Sequence, residues 1–122
     1  MRDWRIRLEQ DKLLRLLGLA QRAGKVKSGN FAAEESVKKG SCCLLLISRD
    51  TSEASKKKAR NMCEYYDTPW REYSEKESLG HAIGKEMRSV VAIEDAGFAG
   101  KILAILESSE SKGGSAINGK DQ

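Results

Sequence analysis

The single histidine, His81, is the one side chain whose ordinary pKa suits proton transfer near neutrality, and Cys63 is a thiol that such a base could activate. Cys63, however, shares a helical stripe with Ala59, Met62 and Tyr66, where a thiol is buried and inert. His81 then reads as an ordinary helix residue. Cys42, Cys43 and Cys63 have no Cys-x-x-Cys spacing and only one histidine beside them, so reduced, buried thiols are expected instead of a zinc site or a disulfide framework. Gly18-Leu19-Ala20-Gln21-Arg22-Ala23-Gly24-Lys25 has one residue too many between its glycines for a phosphate-binding loop, and Val26 stands where a magnesium-binding Ser or Thr belongs. Gly97-Phe98-Ala99-Gly100 lacks the third glycine of a dinucleotide fingerprint. No catalytic residue, cofactor or metal is expected.

Positive charge is the stronger signal. The chain of 122 residues has a formal net charge of +4, but residues 1–27 carry 8 Lys/Arg against 3 Asp/Glu, and everything after them is nearly balanced. Arg22, Lys25 and Lys27 precede Ser28-Gly29-Asn30, which reads as the start of a helix. A helix N-terminus presents unpaired backbone N–H groups and the positive end of the macrodipole, so cations beside it make an anion site for phosphate, and Gly29 lets a nucleic-acid backbone come close. The alternative is that Ser28 or Asn30 merely caps the helix and the lysines are solvated. Lys56-Lys57-Lys58-x-Arg60 reads as a solvated helix face that could widen a phosphate-tracking surface. Trp4, among Arg2, Arg5 and Arg7, either stacks on a base or packs on the domain.

The elements that must hold these groups are legible in outline. Leu13, Leu16, Leu17 and Ala20 repeat at helical spacing from Asp11 to Ala23, with Gly24 as a stop. Lys25-Val26-Lys27 is a short passage leading to a second helix, Phe31 to Lys39, stopped by Gly40. Cys42 to Ile47 is continuously apolar, as for a central strand covered on both faces. Asp50-x-x-Glu53 resembles a capping box opening a third helix that ends near Asp67, and Pro69 breaks it. Trp70 to Tyr73 reads as a short strand, and Ser74-x-x-Glu77 as the capping box of a fourth helix with Leu79, Ala82 and Ile83. Ser89 to Ile93 is a second buried strand, and Ala96 to Glu107 a closing helix. Helices alternating with strands predict an α/β fold of three layers, α-β-α, around a small sheet. Residues 1–10 read as a basic arm or helix extension, 11–107 as a single domain, and the Ser/Gly/Lys-rich 108–122 as a disordered tail. No run approaches the length of a membrane span and the opening Met1–Arg7 lacks the apolar stretch of a secretory signal, so a cytoplasmic location is expected.

Gly18 to Val26, then Ser28-Gly29, the apolar strand 43–47, Leu79-Gly80-His81-Ala82-Ile83-Gly84 and Val90-Val91-Ala92-Ile93 resemble the ribosomal-protein superfamily that binds kink-turn RNA. Ile83-Gly84-Lys85-Glu86 and Asp95-x-Gly97-Phe98-Ala99 are similar to its small bacterial YlxQ-like branch. The likeness covers about Asp11 to Glu107. It implies a mixed sheet in the three-layer fold, and an RNA surface at the start of the second helix and neighbouring loops: Lys27, Ser28, Gly29 and Asn30, the loop at Arg49-Asp50, and Lys85-Glu86-Met87-Arg88. Family members that read kink-turns carry an Asn-Glu pair and a nearby Lys on that helix, and the matching positions here are Phe31, Ala32 and Glu35. Phe31 and Ala32 lack the required hydrogen-bonding groups, and Glu35 repels phosphate.

The expectation is a non-catalytic protein that binds structured RNA, ribosomal above all, in translation or ribosome assembly, acting as a monomer with ribosomal proteins as further partners. Lys25, Lys27 and Ser28–Asn30 would hold phosphates with Arg22 in support; Arg49, Lys85, Met87 and Arg88 complete the expected site. The rival is a protein-interaction adaptor on the same fold, with Phe31 as its anchor.

Overall fold

Two four-residue strands, Leu44–Ile47 and Val90–Ile93, are buried along their whole length. Successive side chains in a strand point to opposite faces, so each strand feeds two cores. Leu44, Leu46, Val91 and Ile93 belong to one apolar cluster, and Leu45, Ile47, Val90 and Ala92 to the other. A sheet built this way needs helices on both sides. The computed structural model describes residues 2–112, with side chains for 10–108.

Its strands are β1 (Val26–Ser28), β2 (Leu44–Ile47), β3 (Trp70–Glu72) and β4 (Val90–Ile93), in the spatial order β1-β4-β2-β3. β4 is antiparallel to β1 and β2, while β2 and β3 are parallel, so the sheet is mixed. Helices α1 (Arg2–Arg22), α4 (Lys76–Ala82) and α5 (Ala96–Lys112) cover one face with Leu13, Leu17, Leu79, Ile83, Ile102 and Leu106. Helices α2 (Asn30–Lys38) and α3 (Glu53–Tyr65) cover the other with Ala33, Val37, Ala59 and Cys63. The expected three-layer α-β-α sandwich is therefore what forms. Each fully buried Leu or Ile contributes roughly 1.5–3 kcal/mol relative to exposure, so these two clusters dominate the stability.

Several details depart from the sequence reading. β1 is a strand, though its three residues are too few to show alternation and, among the described residues, only β4 pairs with it. α1 begins at Arg2, so of the two readings offered for residues 1–10 it is the helix extension that matches, because Arg, Leu, Glu and Gln favour helix even where no apolar stripe is visible; the Trp4 side chain lies outside those described. α5 continues to Lys112, so Ser108–Lys112 are helical and not tail; the rest of the expected tail lies outside the described residues. Neither capping box forms as read. Ser52 caps α3 by accepting from the Ser55 N–H at 3.1 Å, and Asp50 caps α4 instead, its carboxylate accepting from the Lys76 N–H at 3.0 Å. Ser74 takes a positive φ of 62° and caps nothing. The three thiols are free, and burial pushes Cys63 up to about 12 and Cys42 up to about 11, which leaves Cys63 a poor nucleophile.

Gly80 lies where α4 meets the chain that returns to β4. A Cβ there would fall on the backbone carbonyl of Glu86. Gly→Ala within a helix ordinarily gains about 1 kcal/mol. Here the sign is expected to reverse: Gly80→Ala should cost roughly 2–3 kcal/mol in urea unfolding, because the backbone itself must move to make room.

Candidate functional site

The antiparallel register pairs Ser28 with Val91, which sets the start of α2 beside the loop that precedes β4. Gly29 makes the turn between β1 and α2 with φ of 90°, a conformation that strains any residue with a Cβ, and its N–H donates to the Val90 carbonyl at 3.1 Å. Gly29 is the N-cap, and the first helical hydrogen bond runs from the Ala33 N–H to the Gly29 carbonyl at 2.9 Å. No side chain caps α2, and its first turn holds no acidic residue. The capping alternative for Ser28 and Asn30 is thereby corrected: the Ser28 hydroxyl accepts from Arg88 Nε at 3.2 Å, and Asn30 is already the first helical residue. Open N–H groups, the positive dipole end and the Arg88 guanidinium thus meet at one point.

The loop carrying Arg88 is fixed along α4. Lys85 N–H donates to the Gly80 carbonyl at 2.8 Å and Arg88 N–H to the Lys76 carbonyl at 3.0 Å, while Arg88 Nη1 holds the Met87 carbonyl at 2.9 Å. Met87 is left 63% exposed, and Phe31 at the start of α2 is 78% exposed. The end of β2 joins the same neighbourhood, since Ser48 N–H donates to the Ser89 carbonyl at 2.8 Å. Arg49 N–H donates to the Ser74 carbonyl at 2.7 Å, and its guanidinium lies 5.8 Å from the centre of the Tyr73 ring. Lys27, Ser28, Gly29, Asn30, Arg49, Met87 and Arg88 therefore gather at one end of the sheet, with Lys85 further along α4. Arg22 and Lys25 do not join them. Glu94 N–H donates to the Lys25 carbonyl at 2.7 Å, which places Lys25 at the opposite end of β1, about 10 Å from Ser28 at the usual rise per strand residue. Arg22 ends α1 on that far side.

Residues 11–103 match the ribosomal protein L7Ae/L30e/S12e/Gadd45 family. The chain belongs to this family. It is 40% identical over 92 residues to the RNA-binding protein YlxQ of Bacillus subtilis (strain 168), covering 75% of this chain and 92% of that one. It is 33% identical over 98 residues to the RNA-binding protein YlxQ of Enterococcus faecium, covering 80% and 94%. These relatives place it in the YlxQ-like branch of the L7Ae family. A solved structure from Bacillus halodurans C, described as a protein with unknown function, superposes with a TM-score of 0.75 at 36% identity, covering 79% of this chain and 97% of that one. The Giardia lamblia 15.5kD RNA binding protein shares the fold, with a TM-score of 0.70 at 21% identity over 84% and 88% of the two chains.

The L7Ae-type scaffold also shows where the Lys56–Arg60 charges go. Lys56 is not part of a solvated face: its side chain is only 10% exposed, with Nζ 3.4 Å from Glu72 Oε1 and 3.6 Å from Glu53 Oε2. Arg60 Nη1 lies 3.4 Å from the other Glu72 oxygen, and its guanidinium is 5.8 Å from the centre of the Trp70 ring. These two cations clamp α3 to β3, and only Lys57 and Lys58 are exposed. Sequence spacing could not separate them, because Glu72 lies on a different element. Lys56→Ala is expected to lower unfolding stability by about 1–2 kcal/mol, since it strips a half-buried carboxylate of a partner, whereas Lys57→Ala should stay within about 0.5 kcal/mol. Chemical denaturation of both variants checks the contrast.

Proposed function

We propose that this protein binds structured RNA, ribosomal RNA above all, without catalysing a reaction, through Lys27–Asn30, Arg49 and the Lys85–Arg88 loop. The observation that carries this reading is the uncapped start of α2 with Arg88 held 3.2 Å from Ser28. Backbone N–H groups, Lys27 and Arg88 suit phosphate oxygens, and the exposed Phe31 and Met87 suit an unstacked base. Two relatives that match over most of their length are named RNA-binding proteins, which supports the same partner. Lys85 widens the phosphate surface, while Arg22 and Lys25 add only long-range attraction from the far end of β1. With Phe31, Ala32 and Glu35 where kink-turn readers carry Asn, Glu and Lys, the protein holds its RNA by backbone and stacking contacts and does not read tandem G·A pairs. Its work lies in the cytoplasm, as a monomer, in translation or ribosome assembly.

Filter binding of purified ribosomal RNA tests this. The unmodified chain should bind at low salt, and Lys27→Ala with Lys85→Ala should weaken binding by roughly tenfold and flatten the salt dependence by about one unit of slope per lost phosphate contact. Arg22→Ala with Lys25→Ala should weaken it less. No binding at low salt, or equal affinity for all three proteins, would refute the reading. The adaptor alternative draws on the exposure of Phe31, at 78%, as an anchor. It gains if a stoichiometric protein partner survives nuclease treatment and is lost with Phe31→Ala.

A further inference from the structure

Asp50 is the one acidic residue between β2 and the N-cap of α3, and it directly follows Arg49. It is exposed, at the end of the sheet that gathers Lys27, Arg49 and Arg88. By charge alone a carboxylate placed there works against a polyanion. Its hydrogen bond points to another role.

Lys76, the first residue of α4, has its backbone held on both sides. Its N–H donates to Asp50 Oδ1 at 3.0 Å, and its carbonyl accepts from the Arg88 N–H at 3.0 Å. Arg88 Nε in turn donates to the Ser28 hydroxyl at 3.2 Å. A path of three hydrogen bonds therefore joins the loop after β2 to the start of α2, through a single residue of α4. The N-cap residue of α4, Glu75, makes no side-chain cap, and among the described residues Asp50 is the only side chain that accepts from the first-turn N–H groups of this helix. The middle of α4 is anchored differently, by the fully buried Leu79 and by the close packing of Gly80 on Glu86. Loss of the Asp50 acceptor thus leaves the helix packed and frees only the end on which Arg88 rests.

We propose that Asp50 is a positioning residue of the RNA site: it pins the start of α4 and thereby sets the Arg88 guanidinium at the start of α2, without itself touching RNA. This assignment rests on the RNA-binding reading and adds to it a residue whose charge alone argues the other way. Two opposite signs follow. Electrostatics alone gives tighter binding when the carboxylate is removed, whereas positioning gives weaker binding when the acceptor is removed. Asparagine separates the two, because it keeps the acceptor oxygen and loses the charge.

Filter binding of purified ribosomal RNA to the full chain and its variants is the test, with circular dichroism alongside to show each variant folded. Asp50→Ala should weaken binding roughly three- to tenfold, on the scale of a lost helix cap. Asp50→Asn should stay within about twofold of the unmodified chain, since the acceptor is retained. In an Arg88→Ala background, Asp50→Ala should weaken binding little further, because the two residues act as a unit. A cap that served stability alone would show no such coupling. Unchanged or tighter binding by Asp50→Ala, an Asp50→Asn variant as weak as Asp50→Ala, or independent effects of Asp50→Ala and Arg88→Ala would each overturn the positioning role. Any of these, seen while Lys27→Ala with Lys85→Ala still weakens binding, leaves the RNA reading standing. No RNA bound by the unmodified chain overturns both.

Discussion

β1 is an edge strand of three residues, Val26–Ser28, paired among the described residues only with β4, yet its register against β4 decides what lies beside the start of α2. Because side chains alternate across a strand, a slip of one residue would turn Val26 out of the core and Lys27 into it. The apolar contacts of Val26 with the α1–α4–α5 core therefore hold Ser28 opposite Val91. From that register the rest follows. Gly29 turns the chain into α2, the loop before β4 lies alongside, and Arg88 reaches Ser28. The close packing of Gly80 on Glu86 keeps that loop against α4, and the Asp50 carboxylate ties the start of α4 to the end of β2.

Charge acquires meaning only through this arrangement. A net charge of +4 on 122 residues is unexceptional, and the 8 Lys/Arg of residues 1–27 sit mostly on α1, away from the start of α2. Lys56 and Arg60 are committed to Glu72, and Lys38 to Glu34. The fold brings Lys27, Arg49 and Arg88 together at one end of the sheet, with Lys85 further along α4. Few cations can still bind phosphate well when backbone N–H groups at a helix start are added to them, since those dipoles are already oriented and cost no reorganisation.

The sandwich was legible because its two central strands are uninterrupted apolar runs, and such runs must be covered on both faces. The helix start at Ser28–Asn30 was legible too, from local residue types and from the family likeness. What escaped local reading depends on residues far apart in the chain. Asp50 finds the Lys76 N–H, Lys56 finds Glu72 and Ser28 finds Arg88, so a capping box, a solvated face and a helix cap each turned out otherwise. Lys25 looked adjacent to the helix start, but an extended strand separates neighbours in sequence by about 3.3 Å per residue, enough to carry it to the other end of the sheet.

Amide hydrogen exchange, followed by mass spectrometry with and without purified ribosomal RNA, tests the central claim most directly. Slower exchange of the amides in 29–33 and 86–90 on adding RNA is expected, with α1 and α5 unchanged. Protection confined to the α1–α5 face, with the start of α2 exchanging as in the free protein, would contradict it.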